Sequence, residues 1–122
     1  MIAAAELAVQ RKISKFFIAA DYLMIPLQRR PRTPDGAGGM TVGEPVPLPA
    51  QRFRLIPQED GATARTTSEG ETATPEFILM GHWDCDMARF DEFELDDGRR
   101  FEIVYIDNRQ YEIKGEATYL GN

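Results

Sequence analysis

His82-Trp83-Asp84-Cys85-Asp86 gathers a histidine, a thiol and two carboxylates in one short stretch. Such a set is the raw material of a metal centre, a thiol nucleophile or acid–base catalysis, and each of these demands a particular geometry. A structural zinc site needs several soft ligands at recognisable spacing, and the single Cys and single His of this chain fall short of that. Nucleophilic attack by Cys85 with help from His82 fails on spacing, because residues three apart on a strand point to opposite faces. Read as a strand, the stretch puts Trp83, Cys85 and Met87 on a buried face and leaves Asp84, Asp86 and His82 on an acidic one. Asp96 and Asp97 form another carboxylate pair, but they precede Gly98 and belong to a turn. Arg29-Arg30-Pro31-Arg32 near Gly36, Gly38 and Gly39 has the charge to hold a phosphate, yet no G-x-x-x-x-G-K-[ST] and no helix follow. The expectation is a chain with no catalytic, metal-ligating or cofactor-binding residues and no cofactor, and therefore not an enzyme.

The elements around these residues are mostly strands. Phe93-Glu94-Leu95 and Phe101-Glu102-Ile103 flank Asp97-Gly98, a dipeptide that supplies two positive-φ positions to a tight antiparallel turn. The run from Phe101 starts half-exposed and ends apolar on both faces. Residues 111–120 alternate apolar and polar, with Gly115 as a bulge that shifts the register. Arg52-Phe53-Arg54-Leu55-Ile56 alternates as a strand ending at Pro57, and Pro26 in Leu23-Met24-Ile25-Pro26-Leu27-Gln28 places that run at a sheet edge. Residues 29–39 read as a hairpin connection. Pro45, Pro47 and Pro49 favour an extended, ladder-free segment. Ahead of the strands, Ile2, Ala5, Val9, Ile13, Phe16 and Ala20 form one apolar stripe of a helix over residues 3–20, which predicts that this stripe covers the sheet. Leu7 and Ile18 fall on the opposite side and are expected to meet another chain. Residues 58–75 hold no large apolar side chain, so this long loop is either disordered or functional.

With 122 residues, the chain is long enough for a single modest core. No apolar run approaches the roughly 20 residues of a membrane span, and Arg11, Lys12 and Lys15 interrupt any signal-like core near the N-terminus. A lone cysteine makes no internal disulfide and suits a reducing compartment. The net charge of −6 hides a split. Before Gln58 the acids are Glu6, Asp21, Asp35 and Glu44, against a larger basic set that includes Arg11, Lys15, Arg29, Arg30 and Arg32. Beyond it the acids dominate, with Asp91, Glu92, Glu94, Asp96 and Asp97 close together. Opposite signs on two sides of one subunit predict basic-to-acidic docking between copies or stacked partners, with Leu7, Ile18, Arg11, Lys15, Arg29, Arg30 and Arg32 as interface residues.

The ordered set of elements resembles the head-to-tail stopper proteins (head-closure or head-tail joining proteins) of long-tailed, siphovirus-type phages. The resemblance spans residues 23–121. It rests on Ile25-Pro26-Leu27-Gln28-Arg29, the Gly-rich turn Asp35-Gly36-Ala37-Gly38-Gly39, and Arg52-Phe53-Arg54-Leu55-Ile56-Pro57 before a long polar loop and the strand at 77–81. Arg89-Phe90-Asp91-Glu92-Phe93, the Asp97-Gly98 hairpin and Phe101-Glu102-Ile103-Val104 complete it. It implies a mainly β fold: a small antiparallel β-barrel over residues 22–122 with long loops, preceded by the N-terminal α-helix of residues 1–21 as an interface extension. It further implies a virion protein, assembled in the host cytoplasm, that forms a homo-oligomeric ring, a hexamer or a dodecamer. The portal or adaptor ring would lie above it and a tail terminator or tail tube protein below. In such proteins the loop, here 59–74 with Glu59, Asp60, Arg65, Glu69 and Glu71, projects into a channel through which DNA passes without specific binding, and helps retain it. No membrane is involved. An acidic channel wall agrees with this, since it repels phosphates where a sequence-specific binder carries a basic stripe. The competing reading is a small ligand- or nucleic-acid-binding barrel.

Overall fold

The structure, a computed structural model, describes residues 3–59 and 61–122. Asp60 and Ile2 lie outside the described residues. The chain runs through α1 (Ala4–Ala20), β1 (Leu23–Ile25), β2 (Gln28–Arg29), β3 (Arg32–Pro34), β4 (Met40–Val42), β5 (Val46–Pro47) and β6 (Gln51–Pro57). It continues through β7 (Arg65–Thr66), β8 (Thr72–Ala73), β9 (Phe77–His82), β10 (Glu92–Glu94), β11 (Arg100–Asn108) and β12 (Glu112–Gly121). Among the described residues, eight strands form one antiparallel sheet in the order β1-β6-β9-β12-β11-β10-β2-β5, while β3–β4 and β7–β8 are separate two-stranded hairpins. Only Pro26 and Leu27 separate β1 from β2, yet the two sit far apart in the strand order. The sheet therefore curls until one short stretch of chain bridges its ends, and the expected mainly β, barrel-like fold with an N-terminal helix is what the chain adopts. Pro26, which has no N–H to donate, occupies the link between the ladders.

Inside the curl, Ile25, Leu27, Phe53, Leu79, Phe93, Phe101, Ile103 and Ala117 form the core. Phe101 is its hub, edge-on to Phe77 at 5.2 Å and stacked with Phe93 at 5.4 Å. The latter pair are directly opposed across β10 and β11, the closest placement that neighbouring strands offer. The turn that sets this register differs in detail from expectation. Gly98 alone takes the left-handed conformation, at φ 91°. Asp97 instead accepts the Arg99 N–H at 3.0 Å and the Arg99 Nε at 2.8 Å, and the backbone bond to Arg99 holds its carboxyl below the usual range. The bulge is also elsewhere. Ile103 pairs with Ala117 but Tyr105 with Glu116, which makes Val104 an extra residue on β11, and Arg100 pairs with Gly121 but Phe101 with Tyr119, which makes Leu120 an extra residue on β12. Gly115 stays in register, paired with Ile106 and Leu79, and it is packing that calls for a glycine there, since a Cβ would lie 2.6 Å from Met87 Sδ.

The helix lies against β6 and β9. Since Phe53 and Leu79 point inward, it must rest on the outer face, where Arg54, Met80 and His82 project. Arg54 donates to the Phe17 carbonyl at 2.8 Å and its guanidinium stacks 3.8 Å from the Phe17 ring centre, which ties down the helix C-terminal turn. The side chains turned to the sheet are Ile18 and Ser14, both buried, with Leu7, Gln10 and Arg11 half-buried. This reverses the expected orientation. Leu7 and Ile18 are intrasubunit contacts, while Val9, Ile13 and Phe16 are 57–66 % exposed. The physical reason is that the curled sheet fills its own interior, so no open end needs an apolar lid. The surface that receives the helix is mixed, and a mixed helix face matches it.

Candidate functional site

The His82–Asp86 stretch does not converge on a reaction centre. β9 ends at His82 and a turn follows, with the Cys85 N–H bonded to the His82 carbonyl at 3.1 Å, so the strand expected through Met87 stops short. Trp83 swings outward beneath Arg11, whose guanidinium sits 3.7 Å from the ring centre and whose Nε donates to the Gln110 carbonyl. Cys85 and Met87 do turn inward onto the core. Burial, with smaller contributions from the Asp84 and Asp86 charges, pushes the Cys85 thiol up to about 12, which leaves it protonated and a poor nucleophile. Among the described residues no three His, Cys, Asp or Glu side chains are grouped to hold a metal.

The basic run finds its acids within the subunit. Arg29 grips Asp91 and Asp86, and Arg30 binds Glu92 at 2.7 Å, with Arg100 on the other Glu92 oxygen at 2.8 Å. Arg32 stacks 4.8 Å from the centre of the Phe90 ring, on a residue held at φ 75°. Arg29 and Arg30 are thus closure contacts of the sheet rather than free docking charges, a correction to the charge split. Folding brings the two signs together across about sixty residues. Arg11 is likewise engaged by Trp83. Lys15 remains exposed and, among the described residues, makes no ion pair.

The polar loop does not stand free either. β7 and β8 pair as a small hairpin that lies on the outer face of β11 and β12, held by ion-pair, hydrogen-bond and cation–aromatic contacts. Arg65 reaches both oxygens of Glu116 at 3.1–3.2 Å and stacks 3.7 Å from the Tyr105 ring centre. Ser68 donates its N–H and hydroxyl to the two oxygens of Glu102 at 2.9 and 2.5 Å. Glu59, Glu69 and Glu71 stay exposed. The composition had removed any apolar means of docking, and the buried carboxylate Glu102 supplies a polar one.

Of the concave surfaces among the described residues, two gather charged groups beside aromatic or apolar ones. A cleft of about 300 Å³ runs between α1 and the end of β9, edged by Arg11, Lys12, Lys15, His82 and Trp83. A larger groove of about 710 Å³ lies on the outer face of β10–β12, walled by the β7–β8 turn on one side and Val42 of β4 on the other. Glu92, Glu102 and Thr118 cross its floor as register neighbours, and the buried Thr118 hydroxyl finds no hydrogen-bond partner among the described residues. Tyr119 and Leu120 are half-exposed along it. None of these groove residues carries a sequence motif; their alternation marks only which face of a strand they share. No family model and no curated protein matches the chain.

Proposed function

We propose that this protein is a structural connector subunit that assembles with copies of itself into a ring at the head-tail junction of a long-tailed phage. There it closes the head, retains packaged DNA and offers a docking surface to the tail, between the portal or adaptor ring and the first tail protein. The observation that carries this reading is the stripe Val9, Ile13 and Phe16, joined by Phe17, on a helix whose other face is already packed. Large apolar side chains exposed in a row mark a surface that another macromolecule covers. The curled sheet, the Asp35–Gly39 turn and the long loop fall in the order expected of such a subunit. With the loop laid down on its own sheet, its place in this reading is at the seam between subunits.

The test is sedimentation and electron imaging of the purified protein, followed by its addition to DNA-filled heads that lack it. Closed rings, retained DNA and tail joining are the expected results. A protein that restores neither DNA retention nor tail attachment to such heads is not a head-closure subunit.

A nucleic-acid-binding module is the second reading, favoured by the cleft that Arg11, Lys12, Lys15 and His82 line together with Trp83, Tyr111 and one acid, Asp84, since basic and aromatic groups together suit single strands. Tight, salt-sensitive binding of a short single-stranded oligonucleotide, lost in Trp83→Ala, would select it.

A further inference from the structure

We propose that the exposed stripe of α1 seats in the β10–β12 groove of the next copy of the chain, head to tail; this rests on the ring reading above and names the contact that builds the ring. Position is the first argument. Round the curl from the β1–β2 stretch, the strands run β6, β9, β12, β11, β10. The groove spans β12, β11 and β10, beyond the strands β6 and β9 that carry α1, so helix and groove occupy different parts of the barrel surface. Two different surfaces on separate sides of one subunit generate a ring, because each copy offers the helix to one neighbour and the groove to the other.

Shape and polarity agree. Val9, Ile13 and Phe16 follow the spacing with which a helix anchors in a groove, and the groove of about 710 Å³ offers them the half-exposed Val42, Tyr119 and Leu120 beside its polar floor. Charge then orients the pair. Lys12 and Lys15 flank the stripe, Glu69 and Glu71 stand on the loop wall, and among the described residues none of the four has an ion partner within the subunit. The groove's arginines do not cancel those glutamates, since Arg30 and Arg100 both point to Glu92 and Arg32 lies on Phe90. A two-fold contact of helix against helix would instead bring the lysines of both copies together.

The experiment measures mass by sedimentation for the full chain and its variants. Phe16→Asp disables the helix and Leu120→Arg disables the groove; each alone is expected to weaken self-association about tenfold or more. Mixed one to one, they should form dimers that grow no further, because a single competent helix–groove pair survives. Lys12→Glu with Lys15→Glu should weaken association, and adding Glu69→Lys with Glu71→Lys to the same chain should restore it. These four exposed positions test the contact even if the groove variant misfolds. Self-association that persists unchanged in Phe16→Asp, or that the charge exchange fails to restore, overturns this contact and leaves the ring reading standing. A wild-type chain that stays monomeric at every concentration overturns both.

Discussion

Arg29 places Nε on one oxygen of Asp91 and a terminal nitrogen on the other, each at 2.8 Å, across 62 residues of chain. Asp91 is 1 % exposed and takes a further bond from the Ala88 N–H. The Asp91 hydrogen bond holds the Arg29 guanidinium above its usual range, with Asp86 adding to it. The planar fork of an arginine is what this geometry requires, and it pins β2 to the segment leading into β10, where the sheet closes.

Removing that fork leaves a buried carboxylate with one backbone donor. A fully buried pair broken in this way loses about 3–5 kcal/mol. Because Arg29 is itself 35 % exposed, the expected cost of Arg29→Ala is about 2–3 kcal/mol by urea unfolding. Arg29→Lys should recover less than half of it. An Arg29→Ala variant within about 0.5 kcal/mol of wild type would show that the clamp contributes nothing.

Gly81 is required by packing. A Cβ there would sit 2.6 Å from Cys85 Sγ and 2.7 Å from the Phe53 ring. Gly81→Ala should cost roughly 1–3 kcal/mol as an overpacked core position. Trimming the sulfur as well, in Gly81→Ala/Cys85→Ala, should return part of that loss. If the double variant is less stable than the sum of the two singles, the sulfur is not what the new methyl meets.

The buried thiol also predicts a pH dependence. Its ordinary value of 9.0 rises to about 12 in the fold, so the folded state keeps a proton that the unfolded chain releases. The resulting stability is fully present below pH 9.0 and is lost as pH rises toward about 12. Wild type should therefore lose more stability than Cys85→Ala between those values. At neutral pH a thiol reagent should label the native protein far more slowly than the unfolded one. Equal labelling rates would place Cys85 at the surface.

The loop depends on Glu102. Replacing it by Gln turns one acceptor into a donor facing Ser68, which should speed amide exchange at Ser68 about tenfold while barely changing global stability. Unchanged exchange at Ser68 would mean that the Arg65–Glu116 contact holds the hairpin by itself.

What could be read in advance was whatever is decided locally. The Asp97-Gly98 hairpin, the alternation of Arg52-Phe53-Arg54-Leu55 and the inward Cys85 depend on neighbours a few residues away. The helix orientation does not. Val9, Ile13 and Phe16 carry the same apolar signal whether they face a core or a partner, and only the polar outer face of Arg54, Met80 and His82 decides between them. Likewise, Arg29 and Arg30 look like free charge until the sheet curls and delivers Asp91 and Glu92. Trp83 carries the alternation of a strand, and the turn after His82 cuts that strand short. The groove itself joins residues from β4, the β7–β8 turn, β11 and β12, and no local pattern announces such a meeting.

The two-residue link at Pro26 and Leu27 also bears on how the molecule folds. Ile25 registers with Gln51 on one flank and Gln28 with Glu92 on the other, so one heptapeptide must satisfy two partners that are far apart in the chain. The second of these closes a span of more than sixty residues, whereas the β11–β12 pairing closes a short one. Loop-closure entropy orders these events: the meander from β9 to β12 can assemble early, and the seam at residues 23–29 forms after it. The same seam limits opening, because the β1 end cannot peel away without straining the β2 end, and the two margins of the sheet come apart as a single cooperative step.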